Sequence, residues 1–205
     1  MNFCFIKIQI DGKITNIIAS LVVTIRIISK GEDFMQIFTV SFFGHRQIHY
    51  SFEKESLLEK LICEVITSKE YVEFLVGRDG DFDQLVSSTI LRCKRAVRDD
   101  NNSLIWVMPY PTAEYRNNEE AYNNYYDEVE ICNDSATGHF KSTFQIRNRI
   151  MVDRSDLVIF CVEHSSGGAY QTMQYAKKIG KHFINLASAT INPYTEEGHS
   201  YEIGS

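Results

Sequence analysis

A run of apolar residues, Leu157-Val158-Ile159-Phe160-Cys161-Val162, stops at Glu163-His164-Ser165-Ser166-Gly167-Gly168 and gives way to a helical stretch from Ala169 to Ile179. After Gly180, Lys181-His182-Phe183-Ile184-Asn185-Leu186 reads as the next strand, so the segment is a βαβ unit. The two glycines let the backbone approach a ligand with no Cβ in the way. The helix start leaves unpaired amide donors carrying partial positive charge, so the turn suits an anion such as phosphate. A nucleotide-type ligand is the first expectation, set against the use of glycine in ordinary turns.

The other strands repeat the pattern. Ile37-Phe38-Thr39-Val40-Ser41-Phe42-Phe43 ends at Gly44-His45-Arg46, Tyr71-Val72-Glu73-Phe74-Leu75-Val76 ends at Gly77-Arg78-Asp79-Gly80-Asp81, and Ser103-Leu104-Ile105-Trp106-Val107-Met108 ends at Pro109-Tyr110-Pro111. Special residues gather at the carboxyl ends of the strands, the edge where ligands bind in open α/β sheets. Between the strands, Ser51 caps a helix carrying Leu57, Leu58, Leu61, Ile62 and Val65, and Asp81-Phe82-Asp83 opens a second with Leu85, Val86, Ile90 and Leu91 inward. The later turns of the second helix carry Arg92, Lys94, Arg95 and Arg98, read as a solvated face in preference to a nucleic-acid contact. A short helix at Glu119 to Tyr126, a brief strand at Glu128 to Cys132 and a helix from His139 to Val152 complete the order.

At 205 residues, 44% hydrophobic and 23% charged, the chain has the make-up of a globular domain with a substantial core. A net charge of −6 disfavours a non-specific nucleic-acid binder, although a local basic patch can sit inside an acidic total. Cys4, Cys63, Cys93, Cys132 and Cys161 are odd in number, spread out and never in CxxC spacing, which reads as reduced thiols in a cytoplasmic protein. Residues 1–34 differ from the rest. Their apolar stretch from Ile17 to Ile25 is too short for a bilayer span and fits a signal peptide badly. They are expected to be either untranslated, with translation starting at Met35, or an added edge hairpin. The domain is expected over 35–190, with a tail over 191–205.

Phe43-Gly44-His45-Arg46, Val76-Gly77-Arg78-Asp79-Gly80-Asp81-Phe82-Asp83, Pro109-Tyr110, Arg147 to Asp156 and Ser166-Gly167-Gly168-Ala169-Tyr170-Gln171-Thr172, in that order, resemble the SLOG superfamily and, within it, the YpsA-like bacterial branch. The resemblance implies a Rossmann-like, open, mostly parallel sheet with helices on both faces, binding a nucleotide or nucleotide derivative. The superfamily also includes cytokinin-releasing phosphoribohydrolases, DNA-processing proteins and sensor domains of anti-phage systems. The phosphoribohydrolases carry a PGGxGTxxE pattern; here Ala169-Tyr170-Gln171-Thr172 follow the glycines, and Gln174 and Tyr175 stand near the place of the glutamate. Glycosidic cleavage calls for a carboxylate close to an oxocarbenium-like centre.

The reading is therefore a sensor or binding module for a nucleotide-derived small molecule, with no required cofactor or metal. Its expected ligand-binding residues are Gly44, His45, Arg46, Gly77, Arg78, Asp79, Pro109, Tyr110, Ser166, Gly167, Gly168 and Thr172. Arg46 and Arg78 would offer guanidinium forks to phosphate, and Thr172 either a hydroxyl to the ligand or a bond to its own helix. Asp79, Glu163 and His45 are the catalytic candidates if the protein is instead a nucleotide N-glycosidase. Arg147, Arg149, Asp153 and Arg154 read equally as a structural network or as ligand contacts, with Arg149 and Asp153 spaced to pair. The tyrosines from Tyr110 to Tyr126 read as packing before a base-stacking wall. A single-stranded DNA-processing relative and a ligand-free interaction protein are the other readings. Nucleic acid is disfavoured as a partner, no membrane is expected, and two helices, 139–152 and 168–179, can serve as homo-oligomer faces.

Overall fold

The computed structural model describes residues 35–132, 140–188 and 190–191. The segment 1–34, with its expected hairpin or late start, lies outside the described residues, as does the tail beyond Ile191. From Gln36 onward the chain forms one compact unit.

Strand β1 (Ile37–Gly44) is followed by α1 (Phe52–Ser68), β2 (Tyr71–Val76), α2 (Asp81–Ala96) and β3 (Asn102–Met108). Two short helices, α3 (Ala113–Asn117) and α4 (Glu119–Tyr125), lead to β4 (Glu128–Ile131). Then come α5 (Phe140–Arg154), β5 (Leu157–Cys161), α6 (Gly167–Lys178), β6 (Phe183–Asn185) and a two-residue β7 (Thr190–Ile191). The strands order as β4-β3-β2-β1-β5-β6-β7, all parallel except β7, which runs antiparallel to β6. This is an α/β, Rossmann-like fold, and no helix among the described residues is long and apolar enough to cross a membrane.

Strand alternation divides the core in two. Phe42, Phe74, Leu104, Trp106 and Ile159 face α1 and α2, whereas Phe43, Leu75, Ile105, Val107, Val158 and Phe160 face α5 and α6. Both faces are covered, so the strands are continuous apolar runs instead of alternating ones. Ser51 caps α1 by accepting from the Lys54 amide at 3.3 Å. At the amino ends, Asp156 accepts from the Thr39 amide at 2.8 Å, and the buried Ser155 and Ser41 hydroxyls meet at 2.8 Å.

The expected solvated face holds at Arg92, Arg95 and Arg98, which are exposed, and fails at Lys94. Lys94 is buried and pairs with Asp127 at 2.5 Å, Arg92 reaches Glu55 of α1 at 2.7 Å, and Arg98 turns back to Asp100. Lys94 and Arg92 fasten α2 to its neighbours. Arg154 likewise reaches Glu130 and Glu73, tying α5 to strands β4 and β2. Arg149 and Asp153 engage Tyr175, the first over its ring at 5.3 Å and the second by accepting from its hydroxyl at 2.8 Å.

Candidate functional site

The chain adds β2, β3 and β4 to one side of β1, then returns to place β5 on the other. Outside the carboxyl ends of β1 and β5, where the order reverses, the diverging loops leave a crevice. It is a cleft of about 620 Å³, bounded by Gly44-His45-Arg46 after β1, Gly77, Asp79 and Gly80 after β2, Asp83 of α2, Phe144 to Asn148 of α5, and Gly167-Gly168 opening α6.

The floor on the α5 side is ionic. Arg147 is only 6% exposed; its Nη1 donates to the Val107 carbonyl at 3.0 Å, and its Nη2 lies 3.5 Å from Asp79 Oδ2. The Asp83 carboxylate accepts from the Asp79 amide at 2.8 Å. Gly77 makes room for this group: a Cβ there would lie 2.9 Å from Asp83 Oδ2 and 3.1 Å from Arg147 Nη1. Burial pushes Asp83 up to about 6, opposed by Arg147 and the backbone amides of Asp79 and Gly80. Burial likewise lowers Arg147, opposed by Asp83 and Asp79. Arg147 Nε and Asn148 Oδ1, both buried, have no hydrogen-bond partner among the described residues. A buried polar atom left without a partner costs roughly 1–3 kcal/mol, and these two, one donor and one acceptor, are neighbours on α5.

On the opposite wall, Gly167 adopts φ +85°, which turns the backbone into α6. The Ser166 side chain makes no capping bond, leaving the first amides of the helix uncapped by it. A Cβ on Gly168 would meet nothing within 4 Å. His45, 9% exposed, stacks on His164 with centroids 3.7 Å apart and planes 2° from parallel. Its Nε2 accepts from the His164 amide at 3.4 Å, which assigns the neutral ring's proton to Nδ1. Burial and the neighbouring His164 hold His45 below the ordinary imidazole range, so a neutral N–H donor stands near the glycine turn.

Gly44, His45, Arg46, Gly77, Asp79, Gly167 and Gly168 thus share one cleft. Five expected residues stand elsewhere. Arg78 turns to the β3 side, where its guanidinium lies 4.5 Å over the Tyr122 ring, donates to the Tyr122 hydroxyl at 3.2 Å and faces Glu114 at 3.5 Å. Thr172 is buried, donates to the Gly168 carbonyl at 2.9 Å and accepts from Asn148 at 3.0 Å, so it serves its helix and α5. Ser166 is exposed ahead of the turn and outside the lining. Pro109 is also outside it, and Tyr110 packs edge-on against Phe144, a wall residue, at 6.0 Å. Glu163, a catalytic candidate, pairs with Lys54 and accepts from the His49 amide at 3.4 Å. Arg147, which the sequence left open between a structural network and a ligand contact, lines the cleft with Asp83, and Phe144, Gln145 and Asn148 join them without having been singled out. Tyr115, Tyr122 and Tyr126 pack on Trp106, as expected of core aromatics.

Fold and cleft together define an open α/β protein with a polar cleft at its topological switch point. Two solved structures share this architecture. DNA processing protein A from Helicobacter pylori, described for its single-stranded DNA binding mode, superposes with a TM-score of 0.50 and 17% identity over 72% of this chain. DNA processing protein A from Streptococcus pneumoniae gives 0.53 and 18% over 73%. This chain spans 64% and 50% of their lengths, respectively. No family model matches the chain, and no curated protein sequence does either. The likeness shows the fold. It also corrects one expectation. Nucleic acid was disfavoured on net charge, yet a neighbour with this fold is described as binding single-stranded DNA, so a total of −6 is no ground for setting that class of partner aside.

Proposed function

We propose that the cleft between β1 and β5 binds the phosphate of a nucleotide-derived ligand, as a binding or sensor module in the manner of the YpsA-like branch. The observation that carries this reading is the buried Arg147 guanidinium, with Nε unpartnered among the described residues, in the same cleft as the open Gly167-Gly168 start of α6. An anion there gains uncapped helix amides, the helix dipole and a cation held in low dielectric. His45 Nδ1–H and the Arg46 guanidinium add donors on the β1 side. Asp79, 46% exposed and beside Arg147, is placed to accept a ribose hydroxyl. Glycosidase chemistry has less support, because Glu163 is engaged with Lys54.

A second reading has its own support. The neighbours are DNA-processing proteins, and the same anion site would take one phosphate of a single strand instead of a free nucleotide. Thermal unfolding of the chain against nucleoside mono-, di- and triphosphates, cyclic nucleotides and ADP-ribose tests the first. A ligand at about a hundred times its Kd adds roughly 2.7 kcal/mol, a midpoint rise of several degrees. Binding of a labelled oligothymidylate across a salt series tests the second, with affinity falling steeply as salt rises. A chain that answers to neither, with Arg147→Met behaving as wild type, overturns both.

A further inference from the structure

Cys63 of α1 and Cys93 of α2 face each other where the two helices pack, with Sγ atoms 3.1 Å apart and the Cys63 thiol donating to Cys93. Cys93 also lies 3.7 Å from the Glu59 carbonyl. Cys93 is 1% exposed, whereas Cys63 is partly open to solvent. Both are free thiols in this structure. A disulfide brings its sulfurs to about 2.05 Å, so closure asks for a movement of about 1 Å between side chains already pointing at each other.

We propose that Cys63 and Cys93 form a reversible dithiol pair that a hydroperoxide converts to an intramolecular disulfide, with Cys63 the attacking and Cys93 the resolving sulfur. The Cys63 thiolate attacks one peroxide oxygen: an S–O bond forms, the O–O bond breaks and the departing oxygen takes up a proton, leaving as water from hydrogen peroxide or as an alcohol from an organic hydroperoxide, which oxidises the sulfur to a sulfenic acid. The Cys93 sulfur then attacks the Cys63 sulfur. The S–S bond forms, the S–O bond breaks, and the Cys93 proton leaves with the hydroxide as water. Two thiols and one hydroperoxide give a disulfide, water and the hydroxyl product of the peroxide, and a dithiol reductant reverses the bond by exchange. Exposure sets the order, because the oxidant reaches Cys63 while Cys93 is sealed in the core. Burial and the Cys63 neighbour hold the Cys93 thiol well above its ordinary range, so it waits protonated until a sulfenic acid stands beside it. The bond would link the two helices on one face of the sheet, and α2 is the helix whose first turn carries Asp83 to the cleft.

The test treats the folded full-length chain with one equivalent of hydrogen peroxide, blocks remaining thiols, and maps linked peptides by mass spectrometry. The expected result is a monomer lighter by about 2 Da, a Cys63–Cys93 peptide pair lost on dithiothreitol, and a melting midpoint raised by about 5 °C or more. Cys93→Ala should then accumulate a sulfenic acid at Cys63 that a dimedone probe traps, and Cys63→Ser should leave Cys93 unreacted. Retention of both thiols in the folded chain, a link from either to Cys132 or Cys4, or trapping at Cys93 instead of Cys63 overturns the proposal. None of these outcomes depends on what the cleft binds.

Discussion

Two arginines stand at the carboxyl edge of the same sheet, and they live in opposite surroundings. Arg78 has everything it needs from the protein: a tyrosine ring beneath it, the Tyr122 hydroxyl to donate to and the Glu114 carboxylate beside it. Arg147 is more deeply buried, yet its Nε has no partner among the described residues, its contact with Asp79 is long at 3.5 Å, and the Asn148 Oδ1 next to it is also unmatched. An arginine whose bonds are complete holds a loop in place. One buried with a donor left unpartnered among the described residues has room for a further acceptor, and this contrast separates the aromatic corner of β3 and β4 from the cleft of β1 and β5.

The contrast breaks most plainly at Arg147. Arg147→Ala removes the cation beside Asp79 and Asp83 and leaves the partly buried Asp83 without a counter-charge, at a cost of about 3 kcal/mol, the low end for a buried pair. Chemical denaturation at pH 7 and pH 5 reads it, and the loss should be smaller at pH 5, where Asp83 protonates. A cost equal at both pH values would separate Arg147 from Asp83.

Gly44 gives the next largest effect. A Cβ there would lie 2.5 Å from three atoms of Phe82, which is 1% exposed and sits in the first turn of α2. Gly44→Ala must push that turn outward, costing about 2–3 kcal/mol by overpacking and moving Asp83 away from Gly77. Urea midpoints measure it; a neutral substitution would mean that α2 slides freely over the end of β1.

How much of this could be read from the chain follows from periodicity. The apolar runs of β1, β2, β3 and β5 fix strands, and a glycine at the end of three of them fixes the edge that carries the cleft. Arg147 was legible only as one of four charged residues left open between a structural network and ligand contact, because nothing in the pattern of α5 says which turn faces a strand end 40 residues earlier, at Val107. Arg78 misleads for the converse reason. It follows Gly77, but neighbouring residues in extended backbone point to opposite sides, so Asp79 enters the cleft and Arg78 leaves it. Lys94, paired with Asp127 just before β4, and the Cys63–Cys93 pair between α1 and α2 depend on tertiary contacts that no local pattern encodes.

Titration sharpens the cleft further. The folded Asp83 value of about 6 lies above the unfolded carboxylate's about 3.9, so its contribution to stability is fully present below about pH 4 and lost as pH rises through about 6. Partial exposure of this residue trims the effect to about 1–2 kcal/mol. His45 works the other way: its lowered value gives stability above the unfolded imidazole's about 6.5 that is lost as pH falls. The wild-type curve carries both, and its difference from Asp83→Asn isolates the carboxylate. Anion affinity should rise severalfold between pH 8 and pH 5 in wild type as Asp83 loses its charge, and be flatter in Asp83→Asn. In the aromatic corner, Arg78→Ala should cost only about 1 kcal/mol, the scale of one partly exposed cation–π and hydrogen-bonded contact, and leave ligand binding in place. Lost binding with an intact fold would return Arg78 to the site.

The smallest effect on stability is the most discriminating. Gly168 has nothing within 4 Å of its missing Cβ and a φ outside the left-handed region, so a side chain fits there without strain. In Gly168→Asp the carboxylate arrives in the first turn of α6, where the helix dipole favours negative charge by about 0.3–1 kcal/mol, and replacing glycine within the helix adds a similar gain. The midpoint should therefore stay level or rise slightly. The same carboxylate occupies the space opposite Arg147 that the phosphate needs and repels it, so nucleotide or oligonucleotide binding should vanish while the fold is if anything firmer. A protein kept whole by this change and still binding its anion would show that the open glycine turn is a matter of packing, and that Arg147 serves some group other than a phosphate.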